Sequence, residues 1–186
     1  MNNQDYKHVR DLYSLAEKRI KLIEQLDSEI VIPAINQLRY VGWHILESLF
    51  SDESYEDNIK EAEIHASRAA YDAIEAGTLE LLLEFAQFKN DFRFITIGDV
   101  IPDYLEICEK IDNTRDILSN LNNRQQCNMH EELQTHFEEL LNISRRFAVA
   151  REELTKKLRN WRLWVFFGLG AIFLTLFGII VMMIFS

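Results

Sequence analysis

The feature that most constrains the fold is an uncharged apolar run over residues 163–185, which reads LWVFFGLGAIFLTLFGIIVMMIF. A helix of about 20 apolar residues is long enough to cross the hydrocarbon core of a bilayer. The alternative is a buried helix of a soluble core, but the length and the basic flank favour a membrane. We therefore expect one transmembrane helix, called the span below, that anchors the chain by its C-terminal end.

Basic residues in front of the span predict its orientation. No charged residue follows the span, so the positive-inside rule places the N-terminal part of the chain in the cytoplasm. The first residues form no apolar run typical of a signal peptide. The two cysteines, Cys108 and Cys127, fit a reducing compartment. The basic residues closest to the span are Lys156, Lys157, Arg159 and Arg162.

Charge is distributed unevenly along the chain. Residues 145–162, called the neck below, hold seven of the 20 Lys and Arg residues against Glu152 and Glu153. A basic neck suits attraction to anionic lipid headgroups, and a contact with phosphate or nucleic acid is the alternative. The acidic remainder of the chain argues against broad nucleic-acid binding, and it would attract cations if its carboxylates lined a pore.

A scarcity of helix breakers predicts an all-α fold. The chain has two prolines and six glycines, and three of the glycines lie in the span. Pro33 and Pro102 suit the first turns of the second and fourth helices. The helices are predicted over about 4–27, 33–50, 54–94, 99–121 and from 128 onward, with polar breaks at 51–54 and 122–128. The predicted domains are a cytoplasmic bundle of about four helices (1–127), a stalk helix (128–162) and the transmembrane helix (163–185).

The fifth helix is predicted to enter the membrane without a break, over roughly 85 Å at 1.5 Å per residue. Seam residues recur along it in alternating steps of four and three, which is a heptad stripe. Either parallel copies associate along this stripe, or its cytoplasmic half packs against the chain's own helices, and both can hold. A ring of Arg151 side chains would form an anion site. The stalk seam comprises Ser144, Phe147, Arg151, Leu154 and Leu158.

Small residues share one face of the span, which allows helices to approach closely in lipid. Thr175 supplies the one hydrogen-bonding side chain at mid-membrane depth, and no charge lies there, so a proton relay is not expected. A pore made of this helix would be weakly polar and would gate by dewetting. The predicted pore or helix-packing face comprises Gly168, Ala171, Ile172, Thr175, Gly178, Ile179 and Met182.

The third helix carries the densest pattern, IHASRAAYDAIEAG over residues 64–77. Its alanines and Gly77 form a thin face for tight packing, and polar residues recur beside it at helical spacing. The polar residues predict an interhelical network or, alternatively, a ligand site. No metal site is predicted, because no second histidine lies four residues from His65. The possible network comprises His65, Arg68, Tyr71, Asp72 and Glu75.

The sequence contains no nucleophile elbow, P-loop, HExxH or paired-cysteine zinc motif, so we expect neither an enzyme nor a cofactor. Arg39 and His44, in LRYVGWH, form an R-x4-H pattern that resembles HEPN-type ribonucleases. In that family an Arg and a His act on RNA at a dimer cleft. The chain departs from the family at Tyr40, where a polar residue is common. The alternative is that Trp43 and His44 are partly buried on an amphipathic helix.

The segment HASRAAYDAIEAGTLELLLEFAQFKNDF (65–92), followed by IPDY (101–104), resembles the membrane effector of Hailong antiphage defence systems. The resemblance implies a homo-oligomeric, tetrameric ion channel in the bacterial inner membrane. It also implies a partner nucleotidyltransferase whose DNA oligomers hold the channel shut until infection. It transfers no ligand residues. A tail-anchored scaffold or signalling adaptor and a membrane-tethered HEPN-like ribonuclease remain the alternatives.

Overall fold

The structure is a computed structural model of the chain, and it describes residues 3–26, 31–50, 54–121 and 128–185. Within these ranges the chain forms helices and no strand, which confirms the predicted all-α class. A short 3-10 turn, Ile97–Asp99, precedes the fourth helix. The α-helices are α1 (Asn3–Glu24), α2 (Ile32–Phe50), α3 (Tyr55–Asp91), α4 (Tyr104–Leu121) and α5 (Asn128–Phe185).

Helix boundaries follow the local signals at some places and depart from them at others. Pro33 lies in the first turn of α2, as predicted. Pro102 instead precedes α4, in a turn where the Tyr104 amide donates to the Ile101 carbonyl at 3.1 Å. Helix α3 ends at Asp91 because the next residues turn back, with the Ile95 amide bonded to the Phe92 carbonyl at 3.1 Å. Of the predicted breaks at 51–54 and 122–128, residues 51–53 and 122–127 lie outside the described residues, and Asn128 begins α5.

The chain divides into two compact units, and the first comprises Met1–Glu84 and Ile111–Asn142. Its core is rich in alanine, since Ala62, Ala66 and Ala69 of α3 are fully buried against α1 and α2. The predicted thin face of α3 is therefore confirmed. Gly77 belongs to the same thin face. A Cβ at this position would lie 2.9 Å from Cε2 of Phe137, which is too close for a side chain. Alanine and glycine let neighbouring helices pack closely here.

The second unit comprises Phe85–Lys110 and Ile143–Ser186, and its core is aromatic. The rings of Phe88 and Phe147 stack with centroids 4.1 Å apart, and Phe85 meets Phe147 edge to face at 5.3 Å. Phe92 packs edge to face on Phe88 at 4.9 Å. Offset and edge-to-face rings add to the stabilisation from burial, so a few large side chains hold α3 and α5 together in this unit.

Helix α5 runs unbroken over 58 residues, as predicted from the absence of prolines and glycines before the span. Its first part contributes to the first unit up to Asn142, and its remainder belongs to the second unit. The described side chains from residue 162 onward are all exposed. Among the described helices, α5 alone is long and apolar enough to cross a membrane, by length and composition.

Candidate functional site

Helices α2 and α3 of the first unit bring two histidines together. The rings of His44 and His65 stack with centroids 5.3 Å apart and an interplanar angle of 16°. Tyr40 lies one turn before His44 on α2, and the centroids of the Tyr40 and His65 rings are 5.1 Å apart. Glu61 lies one turn before His65 on α3. We call His44, Glu61 and His65 the histidine cluster.

Side-chain amides fix the orientation of both imidazoles. Nδ1 of His44 lies 2.9 Å from Oδ1 of Asn58, and Nδ1 of His65 lies 2.6 Å from Oε1 of Gln37. The Asn58 amide nitrogen donates to the carbonyl and to Oγ of Ser54, at 3.0 and 3.1 Å. Its oxygen therefore faces His44 as an acceptor. An acceptor at Nδ1 requires the proton there, which leaves the lone pair of a neutral ring on Nε2.

The surroundings of His65 favour its neutral form. Partial burial lowers the pKa of His65 from 6.5, and the neighbouring His44 lowers it further. Glu61 opposes this shift, whereas Arg68 adds weakly to it. One ligand atom from each member of the histidine cluster lies within 4.8 Å of the others. Two imidazole nitrogens and a carboxylate oxygen are a donor set that zinc accepts in proteins.

A shallow depression of about 380 Å³ opens beside the cluster on α2, lined by Asn36, Arg39, Tyr40 and Trp43. Arg39 Nη1 donates to Oδ1 of Asn36 at 3.2 Å. Five residues rotate an α-helix by about 140° beyond a full turn, so Arg39 and His44 lie on different faces of α2. The structure thus brings His44 to His65, whereas Arg39 lines the depression.

The predicted polar network on α3 separates into two groups. His65 contacts residues of α2, whereas Tyr71, Asp72 and Glu75 interact further along α3, and Arg68 is exposed. Burial raises the pKa of Tyr71 to about 12, with smaller contributions from Glu75 and Asp72. Burial, followed by Asp72, also raises the pKa of Glu75. These shifts indicate that Tyr71, Asp72 and Glu75 form a partly desolvated set of acidic side chains, separate from the histidine cluster.

Arg19 of α1 is a half-buried cation that the sequence patterns did not single out. Its Nη1 donates to the Ala70 carbonyl of α3 at 3.3 Å, and its Nη2 donates to Oε1 of Gln134 on α5. Gln134 in turn donates to Oε1 of Glu138 at 2.6 Å. Burial lowers the pKa of Arg19, and Glu138 opposes this shift. The one available signal was a basic residue beside the apolar positions of α1, and that is common at helix surfaces.

The stalk seam is packed within one chain. Phe147, Leu154 and Leu158 are 2%, 0% and 8% exposed, and Ser144 is half-buried. Tyr104 of α4 also contacts the Phe147 ring, at 6.2 Å. The apolar side chains of the stalk seam are therefore buried against other helices of the same chain. This is the packing expected from the second of the two alternatives for the stripe.

Arg151, the basic residue of the stalk seam, is engaged by the same unit. Its Nη1 donates to Oδ2 of Asp91 at 3.2 Å. The guanidinium carbon also lies 5.6 and 5.8 Å from the ring centroids of Phe88 and Phe92, within the range of a cation–π contact. Arg151 therefore has an anionic partner and an aromatic support within its own chain.

Contacts in the neck join basic and aromatic side chains. Nζ of Lys157 lies 3.2 Å from Oδ2 of Asp99. The ring of Trp161 stacks on Phe94 at 4.8 Å with an angle of 7°, and the Arg93 guanidinium lies 4.6 Å from the Phe94 ring centroid. Arg146 also forms an ion pair with Asp103. The turn after α3 is thereby held against the last turns of α5 before the span.

The predicted packing face of the span has no neighbour among the described residues. A Cβ added at Gly168 or Gly178 would meet no atom within 4 Å. Thr175 Oγ1 donates to the Ala171 carbonyl of its own helix at 2.8 Å, which satisfies the hydroxyl donor without water. The bulky residues of this face are exposed: Ile172, Ile179 and Met182.

Comparisons with protein-family models, curated proteins and solved structures found no match to the chain. The likeness of residues 65–92 and 101–104 to Hailong effectors is thus an interpretation of the residue pattern. The same holds for Arg39 and His44 and the HEPN ribonucleases. Function is therefore argued below from the chain's own geometry.

Proposed function

We propose that the protein is a single-pass membrane effector whose α5 helices assemble into an ion channel. The observation that carries this proposal is the continuity of α5, which is packed inside the helical units over its first part and exposed and apolar beyond residue 162. A rigid helix of this kind transmits a movement of the packed part directly to the membrane part.

Exposed apolar area supports insertion of the span into lipid. Its described aromatic and aliphatic side chains are exposed, and Phe166, Phe173 and Leu174 are more than two-thirds exposed. Soluble proteins rarely leave a contiguous apolar surface of this size in water. The intrahelical bond of Thr175 is also compatible with a hydrocarbon environment, where an unsatisfied hydroxyl would be costly.

The neck supports a cytoplasmic position for the helical units. Basic side chains immediately before a span are retained on the cytoplasmic side. The stacked pair Phe94 and Trp161 has the composition typical of an interfacial aromatic belt. Arg93 beside it adds a charge that attracts anionic headgroups. We infer an inner-membrane protein with its N-terminal part in the cytoplasm.

A channel requires several copies, because one helix encloses no pore. The apolar stalk seam is used within the chain, so the surface that remains for association along α5 is the small-residue face of the span. Gly168, Ala171, Thr175 and Gly178 would let helices approach closely and would line a narrow, weakly polar path. The resemblance to Hailong effectors adds a tetramer and a nucleotidyltransferase partner whose DNA oligomer keeps the channel shut in antiphage defence.

Conductance tests this proposal. Purified full-length protein should form oligomers in mild detergent and produce stepwise currents in planar lipid bilayers without any partner. The matched control replaces residues 163–185 by a leucine-rich helix of equal length and keeps the neck, so that insertion persists and conductance is lost. A wild-type protein that remains monomeric and passes no current would overturn the channel.

A tail-anchored scaffold or adaptor is the second candidate, and the intramolecular packing of Phe147, Leu154 and Leu158 favours it. In that case the span holds the helical units at the membrane and contributes no pore wall. The same span replacement separates the two functions, because a scaffold retains its cellular effect with any helix that inserts.

A further inference from the structure

We propose that the histidine cluster binds a divalent transition-metal ion of the zinc class through His44, His65 and Glu61. The ion would bridge α2 and α3 of the first unit. This site is independent of the channel proposal, since its residues lie on cytoplasmic helices and its test measures metal binding.

Three ligand atoms from two helices lie close together. Glu61 and His65 are four residues apart on α3, which places them on the same face one turn apart. His44 comes from α2 and stacks on His65. Their ligand atoms lie within 4.8 Å of one another, whereas the ligands of a tetrahedral zinc ion are roughly 3.4 Å apart, given bonds of about 2.0–2.1 Å. Closure therefore requires ligand atoms to move by up to about 1.4 Å, and one imidazole has to rotate out of the stack, because a metal ion binds in the plane of each ring. Glu61 is exposed on α3.

The amides around the histidines supply the support that metal-bound imidazoles commonly have. Asn58 and Gln37 accept from Nδ1 of His44 and His65, which leaves Nε2 of each ring as the metal donor. The Asn58 amide is itself held by the Ser54 carbonyl and hydroxyl. The hydrogen bond at Nδ1 fixes the tautomer of each ring before an ion arrives.

The donor set determines the class of ion. Two neutral imidazoles and one carboxylate favour zinc, cobalt, nickel or copper over magnesium and calcium, which prefer oxygen ligands. Three protein ligands leave a fourth position for water or for a ligand from outside the chain.

Titration of the untagged full-length protein in detergent tests the site. Every protein carries Cys108→Ser and Cys127→Ser, which removes competing thiolates. Calorimetry with Zn²⁺ should give one ion per chain, and Co²⁺ should produce the visible absorption of a four-coordinate site. His44→Gln and His65→Gln should abolish this binding, and Glu61→Gln should weaken it at least about tenfold.

Two histidines outside the cluster provide matched controls. His8 is exposed on α1, and Nδ1 of His136 forms a hydrogen bond of 3.1 Å with Oγ1 of Thr114. Neither His8→Gln nor His136→Gln should change the affinity or the stoichiometry. Asn58→Leu tests the positioning role of the amide, and it should weaken Zn²⁺ binding about tenfold while the ligands remain.

Unchanged Zn²⁺ affinity in Glu61→Gln and in the two cluster histidine variants would overturn the site, as would the absence of a stoichiometric ion in the wild type. Because Glu61 is exposed, its variant should fold even if a histidine variant does not, and circular dichroism checks this directly. Loss of metal binding with intact bilayer conductance would separate this site from the channel proposal.

Discussion

The two parts of α5 carry the same kind of apolar stripe in opposite surroundings. Phe147 is 2% exposed and stacks on Phe88, whereas Phe173, further along the same helix, is 69% exposed. In the first part the stripe is covered by helices of the same chain, and in the span no other described helix covers it. The comparison teaches that periodicity identifies the face that will be buried, whereas the environment that buries it depends on the rest of the molecule.

The largest expected effect separates these two phenylalanines. Phe147→Ala removes a ring from the aromatic core and leaves a cavity, so it should lower the free energy of unfolding by about 3–5 kcal/mol. Phe173→Ala should leave the unfolding of the helical units nearly unchanged, because nothing described packs on this ring. Urea denaturation in detergent, followed by near-ultraviolet circular dichroism, measures both. Equal destabilisation by the two variants would break the comparison.

The next effect compares two arginines that contact or belong to α5. Arg19→Ala removes a second donor from the Ala70 carbonyl and leaves Oε1 of Gln134 without its Arg19 donor inside the first unit, and it should destabilise by about 1–3 kcal/mol. Arg151→Ala removes an exposed pair with Asp91 and exposed cation–π contacts with two phenylalanines, and it should cost roughly 1 kcal/mol in total. Denaturation midpoints of the two variants check the order, and a larger loss at Arg151 would contradict it.

Substitutions of two glycines test the same contrast, and their expected effects on stability are smaller. Gly77→Ala places a methyl group 2.9 Å from Cε2 of Phe137, and this overpacking of about 1–3 kcal/mol exceeds a helix-propensity gain of about 1 kcal/mol. Gly168→Ala meets no atom of its own chain, so the units should keep their thermal midpoint. If the small-residue face packs between copies, the larger substitution Gly168→Ile should shift the detergent-solubilised protein toward monomer in light scattering. Full oligomerisation of that variant would remove this face from the interface.

The smallest effect depends on pH and concerns Glu75. Burial, with Asp72, raises the pKa of its carboxyl above 4.5 in the folded protein, so folding favours the protonated form. The resulting stabilisation is complete below pH 4.5 and is lost as the pH rises through the raised pKa. Glu75→Gln should therefore be more stable than the wild type near pH 7 by roughly a few tenths of a kcal/mol after solvent screening, and the difference should shrink toward pH 4.

Thermal unfolding at several pH values checks this prediction. Glu106→Gln provides the control, because Glu106 is exposed on α4. A stability gain at Glu75 that does not change with pH would assign the effect to packing and not to the carboxylate.

Local signals determined most of the helix pattern. The continuity of α5 up to the span followed from a run without proline or glycine, because nothing in that run interrupts the i to i−4 hydrogen bonds. The start of α2 followed from Pro33. The turn at Pro102 was harder to place, since the bond from the Tyr104 amide to the Ile101 carbonyl depends on the path of the chain between two helices.

Within the candidate site, the sequence singled out His65 and, in a different pattern, His44, but it did not join them. Their contact joins two helices, so no spacing along either helix encodes it. Arg19 was missed for the same reason, because its partners Ala70 and Gln134 come from distant parts of the chain. The sequence by itself determined an all-helical chain with one apolar helix of membrane-spanning length, since periodicity, breakers and hydrophobic length act locally. Only the tertiary structure decided which faces are covered and which polar side chains meet, because these depend on side chains that fold together across the chain.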